Sequence, residues 1–261
     1  MEFLRKWMQG LLGVPKEAPT LTEDQLEAIN LLSRPAVHIR HGGQGFSRIG
    51  GLPDLPAAFD WPQDDGAPLA FLAQIDLSTL PETARDMGFP DSGYLWFFYD
   101  QEQSVWGGDS REFAKWRVLY ATEAGNARSA PNGLDTVFKA VAIAFEPVNT
   151  LPNSSEEPAL ALELSNAQWE TYIELCDERA GGHPVHQLGG WPCPVQDGEM
   201  ERYCNAGMKT DADDWRLLLQ LDTDDAADMM WCDGGVLYFW IREADLRAAR
   251  FDRVWMLLQS H

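Results

Sequence analysis

Two stretches of the chain spell the same ordered set of words, and this repetition constrains the fold more than any single motif. Gly50-Gly51-Leu52-Pro53 returns as Gly189-Gly190-Trp191-Pro192. Leu72-Ala73-Gln74-Ile75-Asp76 returns as Leu218-Leu219-Gln220-Leu221-Asp222. Asp91-Ser92-Gly93-Tyr94-Leu95-Trp96-Phe97-Phe98 returns as Asp233-Gly234-Gly235-Val236-Leu237-Tyr238-Phe239-Trp240, and Arg117-Val118 as Arg253-Val254. Each match alone is weak, but an ordered set with small indels between its members is hard to obtain by chance. The chain is therefore expected to hold two tandem diverged repeats, each running loop, strand, short acidic helix, aromatic strand, helix, strand. Strands joined by turns and short helices imply an α+β fold, a mainly antiparallel sheet with short flanking helices. Two such copies would pack about a pseudo-two-fold axis, with a cleft or a shared core between them.

Local signals mark the borders. Thr22 and Gln25 make a capping box, each side chain placed to satisfy the other's backbone N–H, with Leu21 and Leu26 at staple positions. Leu26, Ile29 and Leu32 would face the core, and Ser33 and Pro35 end that helix. A second box, Ser165 with Gln168, opens a helix whose Trp169, Tyr172, Ile173 and Cys176 recur at helical spacing, and Gly181-Gly182 stops it. Strands are expected at 69–75, 94–99, 118–122, 137–145, 215–221, 236–241 and 253–258. Residues 42–68 are crowded with Gly and Pro and read as loop with short extended pieces, and 183–198 is another glycine- and proline-rich stretch. The polar, Pro-bearing stretch 149–158 divides the halves. The chain then parses as an N-terminal amphipathic segment and linker (1–21), a first repeat with its leading helix (22–150) and a second repeat (151–261), together one globular unit.

Strand parity picks out candidate site residues. Successive side chains of a strand point to opposite faces. Gln74 and Asp76 share one face and Gln220 and Asp222 the equivalent one, while Phe71, Ala73 and Ile75, and Leu217, Leu219 and Leu221, make apolar faces. Two readings are open. Each Asp caps the helix after its strand and each Gln bonds the backbone of a neighbouring loop. Alternatively the four converge across the axis as a polar site that binds a cation or works as a paired acid and base, with Trp61, Trp96, Trp231 and Trp240 as aromatic walls.

Charge narrows the partners. The 261 residues carry a formal net charge of -21, a sign that repels nucleic acid and anionic lipid and draws in basic proteins and cations. Phe3, Leu4, Trp7, Met8, Leu11 and Leu12 form one apolar helical stripe, but Glu2, Arg5 and Lys6 interrupt it too early for a secretory signal. A cytoplasmic protein is expected, with no membrane span. Cys176, Cys193, Cys204 and Cys232 form no C-x-x-C pair, so reduced thiols are expected.

The chemistry motifs are sparse. Gly42-Gly43-Gln44-Gly45 is a turn and not a phosphate loop, and no G-x-S-x-G nucleophile elbow occurs. His183, His186, Cys193 and Cys204 fit no common zinc spacing. The acidic run from Asp222 to Asp233 has Ala227 where a calcium loop needs glycine. No catalytic residue, cofactor or metal is expected, and the chain reads as a binding protein more than an enzyme.

The first copy, from Gly50-Gly51-Leu52-Pro53 through Trp61-Pro62 to Phe71-Leu72-Ala73-Gln74-Ile75-Asp76 and Gly93-Tyr94-Leu95-Trp96-Phe97-Phe98, resembles the YwqG-like family. The second copy extends the likeness with His186-Gln187-Leu188-Gly189-Gly190 and with Gly235-Val236-Leu237-Tyr238-Phe239-Trp240-Ile241. The resemblance covers about residues 22 to 261. It implies a bacterial α+β protein with internal duplication and brings no established activity, cofactor or catalytic residue. Some relatives are thought to sit near toxin–immunity loci. The expected function is that of an acidic binding protein, an immunity-type or inhibitory partner of a basic protein. The alternative is a small-molecule-binding or hydrolytic site in the cleft between the repeats.

Overall fold

Apolar strand runs need a second layer or a closed sheet to hide them, and here ten strands close most of the way on themselves. The computed structural model describes residues 21–261; the amphipathic stripe of residues 3–12 lies outside them. The first half runs α1 (Glu23–Leu31), β1 (Arg34–His41), β2 (Arg48–Ile49), β3 (Asp54–Leu55), β4 (Gln63–Asp64), β5 (Ala67–Pro68), β6 (Ala70–Asp76), α2 (Thr83–Asp86), β7 (Tyr94–Tyr99), β8 (Trp116–Ala121), β9 (Asn126–Ala127) and β10 (Val141–Thr150). The second half runs α3 (Glu157–Leu160), α4 (Asn166–Ala180), β11 (His186–Gly189), α5 (Met200–Met208), β12 (Trp215–Asp222), β13 (Val236–Arg242), α6 (Glu243–Arg247) and β14 (Trp255–Gln259).

The sheet order is β14-β13-β12-β11-β1-β10-β2-β6-β7-β8, with every pairing antiparallel. β1 and β10 stand at the centre, in register from Arg34 opposite Thr150 to His41 opposite Ile143. The sheet curls until its edge strands meet, which makes it nearly a barrel and hides edges that would otherwise recruit other chains. Trp116 of β8 donates its Nε1–H to the Val254 carbonyl at 2.9 Å. Its ring meets that of Trp255 of β14 edge to face, centroids 4.9 Å apart. Trp255 Nε1 donates in turn to Gly107 O at 2.8 Å, and Leu258 N to Trp106 O at 3.2 Å. Gly107 has φ +81°, and a Cβ there would lie 1.8 Å from Met256 O. Only glycine lets the 106–107 segment lie so close to β14.

One apolar cluster draws on both halves. Phe97 of β7 and Phe239 of β13, strands that do not pair, bring their rings to 5.3 Å across the interior. Of the two expected arrangements, cleft or shared core, the halves share a core. On the outside, Leu55, Leu69, Phe71, Trp96 and Phe98 form a second cluster with Phe46, Phe59 and Trp61 of the 46–61 loop. A third joins α1 and α4 through Leu21, Ile29, Leu151, Leu164 and Tyr172.

Both capping boxes form as expected, as does the 94–99 strand. Several expectations need correction. Strict alternation fails in β6 and β12, because a bulge lies between Phe71 and Ala73 and another between Leu217 and Leu219. A bulge adds one residue and reverses the parity beyond it, so Phe71 joins the outer cluster with Trp96 while Ala73 and Ile75 face the interior. Ile173 and Leu26 are 44% and 40% exposed, so the buried face of α4 is Trp169, Tyr172, Leu175 and Cys176, and that of α1 centres on Ile29. Register places Val118 opposite Phe97 and Met256 opposite Phe239, which slides the Arg117-Val118 match two residues along β14. β1, β11 and the short β9 were not expected at all. β1 begins with Arg34-Pro35, read from the sequence as a helix end. Pro35 is tolerated because β11 pairs only from Ala36 onward.

Candidate functional site

Gln74 and Gln220 are fully buried and serve the same local purpose. Gln74 Oε1 accepts from Asp54 N at 2.9 Å and its Nε2 donates to Phe46 O at 2.8 Å. Gln220 Oε1 accepts from Cys193 N at 2.9 Å and its Nε2 donates to Val185 O at 2.8 Å. Each amide thus pins the Gly-Gly-x-Pro loop that follows the neighbouring strand. Both glycine pairs sit at positive φ, +67° and +76° in Gly50-Gly51 and +65° and +72° in Gly189-Gly190. Arg48 donates to Leu52 O, and Gln187 to Trp191 O, from the strand facing each Gln.

The aspartates are bonded differently. Asp76 N donates to Ser47 Oγ at 2.9 Å, and its carboxylate accepts from Ser78 N at 2.9 Å, capping a 3-10 turn. Asp222 N donates to His186 Nδ1 at 2.9 Å, while its carboxylate accepts from Val185 N at 2.8 Å and meets His183 Nδ1 at 2.9 Å. Capping of the next turn passes to Asp224, which accepts from Ala226 N. The four polar residues do not come together. β11, β1, β10 and β2 stand between β12 and β6 in the sheet, and each pair bonds only its own half's loops.

The tryptophans are scattered as well. Trp61 donates to Leu69 O, and Trp96 lies under the 46–61 loop. Trp231 packs on Phe138 and Tyr99 of the first half. Trp240 lines a cleft of 240 Å³ with Arg34, Trp191, Glu156 and Glu201. Gln220 and Asp222 line a different cleft, of 310 Å³, with Cys176, Cys193, His183 and His261. There Cys193 is pushed up to about 11 by burial, which leaves its thiol protonated and a poor nucleophile at neutral pH.

The sequence reading missed a third constellation. The inward-facing row Val37, Ile39, His41 of β1 and the row Leu188, His186 of β11 end in histidines at one mouth of the sheet. Asp224 reaches both, at 2.7 Å from His41 Nε2 and 3.2 Å from His186 Nε2. Burial raises its carboxyl, but the bonds from His186, His41 and the Ala226 N–H outweigh that and hold it well below the usual carboxylate range. Among the described residues this is the one group of three whose ligand-type atoms all lie within 4.8 Å, the spacing a metal ion needs. The donor set fits a cation poorly. His186 Nδ1 accepts the Asp222 N–H, so its Nε2 carries the ring proton and donates to Asp224. A metal-bound histidine instead donates from its second nitrogen. The arrangement holds protons and ties β1, β11 and the β12–β13 turn together. The separation of 183 residues between His41 and Asp224 hid it from motif reading. His183 and His186 accordingly pair with Asp222 and Asp224 and not with Cys193 or Cys204.

These features define a sheet-dominant protein, a nearly closed antiparallel barrel whose loops are pinned by buried amides. The chain belongs to the family described as a domain of unknown function (DUF1963), whose model matches residues 47–260. That family is consistent with the YwqG-like resemblance. No curated protein matches the chain. No helix of the described residues is long and apolar enough to cross a membrane.

Proposed function

We propose that this is a binding protein that docks a basic, partly apolar protein partner on the α1–α4 layer, as an inhibitor or immunity-type protein would. One observation carries the reading: α1 and α4 expose apolar side chains among acids. Leu31 is 80% exposed, and Leu26 and Ile173 also stand out. Glu23, Asp24, Glu27, Glu170, Glu174, Asp177 and Glu178 surround them, with Arg179 the one base on the two helices. Gln25 and Gln168 lock the helices together at 2.8 Å. Exposed apolar area rimmed by charge marks interaction surfaces, and acids there would speed encounter with a basic partner and weaken it as salt rises.

The test is capture on immobilised protein at low salt, followed by hydrogen exchange with the purified partner. Protection should fall on residues 23–31 and 166–180, and Glu27→Lys with Glu174→Lys should cost at least tenfold in affinity. Protection elsewhere, or binding that ignores both reversals, refutes the reading.

The tandem-repeat reading of the fold belongs here as well. It is supported by the matched Gln74 and Gln220 bonds, the matched bulges and glycine pairs, and a sheet order that runs outward from β1 and β10 through equivalent strands. A pseudo-two-fold between β1 and β10 would relate the halves. The alternative, a small-molecule site, is favoured by a different set of residues from the four strand-end groups.

A further inference from the structure

The strongest unexplained feature is a concentration of positive charge in an otherwise acidic chain. A pocket of 260 Å³ opens where the segment after α2 meets β11, β12 and α6, and Arg34, Arg216 and Arg247 all line it. Glu243 is shared by two of them, at 2.5 Å from Arg216 Nη2 and 3.0 Å from Arg247 Nη2. Arg34 has no such partner. Among the described residues no carboxylate lies within ion-pair distance of it, and its guanidinium instead stacks 3.3 Å from the centroid of the Trp191 ring. Stacking holds the group in place and leaves its in-plane N–H donors free.

Holding Arg34 beside Arg216 in a half-buried setting is unfavourable by itself. Burial and the Arg216 charge both lower Arg34's affinity for its proton. The acids behind it offset this only in part, because burial pushes Glu156 up to about 7 and raises Glu201 as well. Packing that keeps two guanidiniums together with one of them unpaired is what an oxyanion between them would relieve. The remaining lining is mostly apolar: Phe89, Leu217 and Leu246 are almost fully buried and Met87 adds to them, while the exposed Asp86 is the one further acid, so three guanidiniums stand against the two carboxylates of Asp86 and Glu243. A bare inorganic ion would leave those walls unused.

We infer that the pocket between Arg34, Arg216 and Arg247 is a binding site for a small organic anion, its carboxylate or phosphate group between Arg34 and Arg216 and its apolar body against Phe89 and Leu246. The site is separate from the α1–α4 layer, so it stands or falls independently of partner docking.

The test is calorimetric titration at fixed ionic strength with four probes: inorganic phosphate, phenyl phosphate, succinate and benzoate. Binding of phenyl phosphate or benzoate at low millimolar Kd or better, with phosphate and succinate at least fivefold weaker, is the expected result, and the tighter of the two identifies the oxyanion. Arg34→Ala should weaken the preferred probe at least tenfold, and Arg34→Lys should recover part of it. Glu243→Gln frees two guanidiniums without touching the Trp191 stack, so it should tighten binding and serves if Arg34→Ala fails to fold. No heat from any probe at 10 mM, equal affinity in Arg34→Ala, or unchanged affinity in Glu243→Gln would overturn the assignment.

Discussion

The Gln74 loop and the Gln220 loop are built alike, yet the strand ends beyond them differ. In the first half Ser47 accepts the N–H of Asp76, which caps the very next turn and remains half-exposed. In the second half a histidine takes the serine's place. Asp222 is 4% exposed and tied back to Val185, and the cap moves two residues on to Asp224. The loop anchor is thus common to both halves, while the strand end is free to vary. In the second half it carries a buried histidine–aspartate network that fastens β12's exit to β1.

The hardest test of this comparison is at the shared part. Gln74→Leu and Gln220→Leu each strand a buried N–H and a buried carbonyl, so each should cost about 2–5 kcal/mol, read from urea midpoints. A large loss in one and a loss under about 1 kcal/mol in the other would break the equivalence. The strand ends should then separate the halves. Asp222→Ala leaves Val185 N unpaired in a buried site and should cost about 1–3 kcal/mol. Asp76→Ala loses an exposed cap and should cost about 0.5–2 kcal/mol. Similar losses would mean that the histidine-rich end adds no stability.

Acid sharpens the contrast further. Asp224 is held below its ordinary value, so its contribution is present above about pH 4 and is lost as pH falls below that. Asp224→Asn should flatten the urea midpoint in that window and leave the Asp76 end unaffected. A smaller effect is expected at His38. Burial, then the nearby Arg40, lowers it to about 4. It therefore binds fewer protons folded than unfolded, and stability should decline as pH falls from about 6.5 towards 4. His38→Gln should remove that slope, and an unchanged slope would assign it to another group.

Much of this was legible in the sequence. The capping boxes, the aromatic strand at 94–99 and the loop-bonding role of the two glutamines follow from local rules. What escaped notice was non-local. β1 hid behind Arg34-Pro35, because its strand character comes from being sandwiched between β10 and β11 and not from its own pattern. The bulges at Phe71 and Leu217 defeated parity, since no residue there marks an extra position. The Asp224–His41–His186 network and the Arg34 pocket join residues far apart in the chain, and spacing rules do not reach that far.

The central place of β1 has a consequence for how the chain is made. Residues 34–41 are made before either strand neighbour: residues 141–150 follow about 100 residues later and residues 186–189 about 150 residues later. Until both are made the nascent strand has at least one flank without its partner, and closing such long loops is slow. The acidic helix before it and the glycine-rich segment after it would keep that waiting edge in solution.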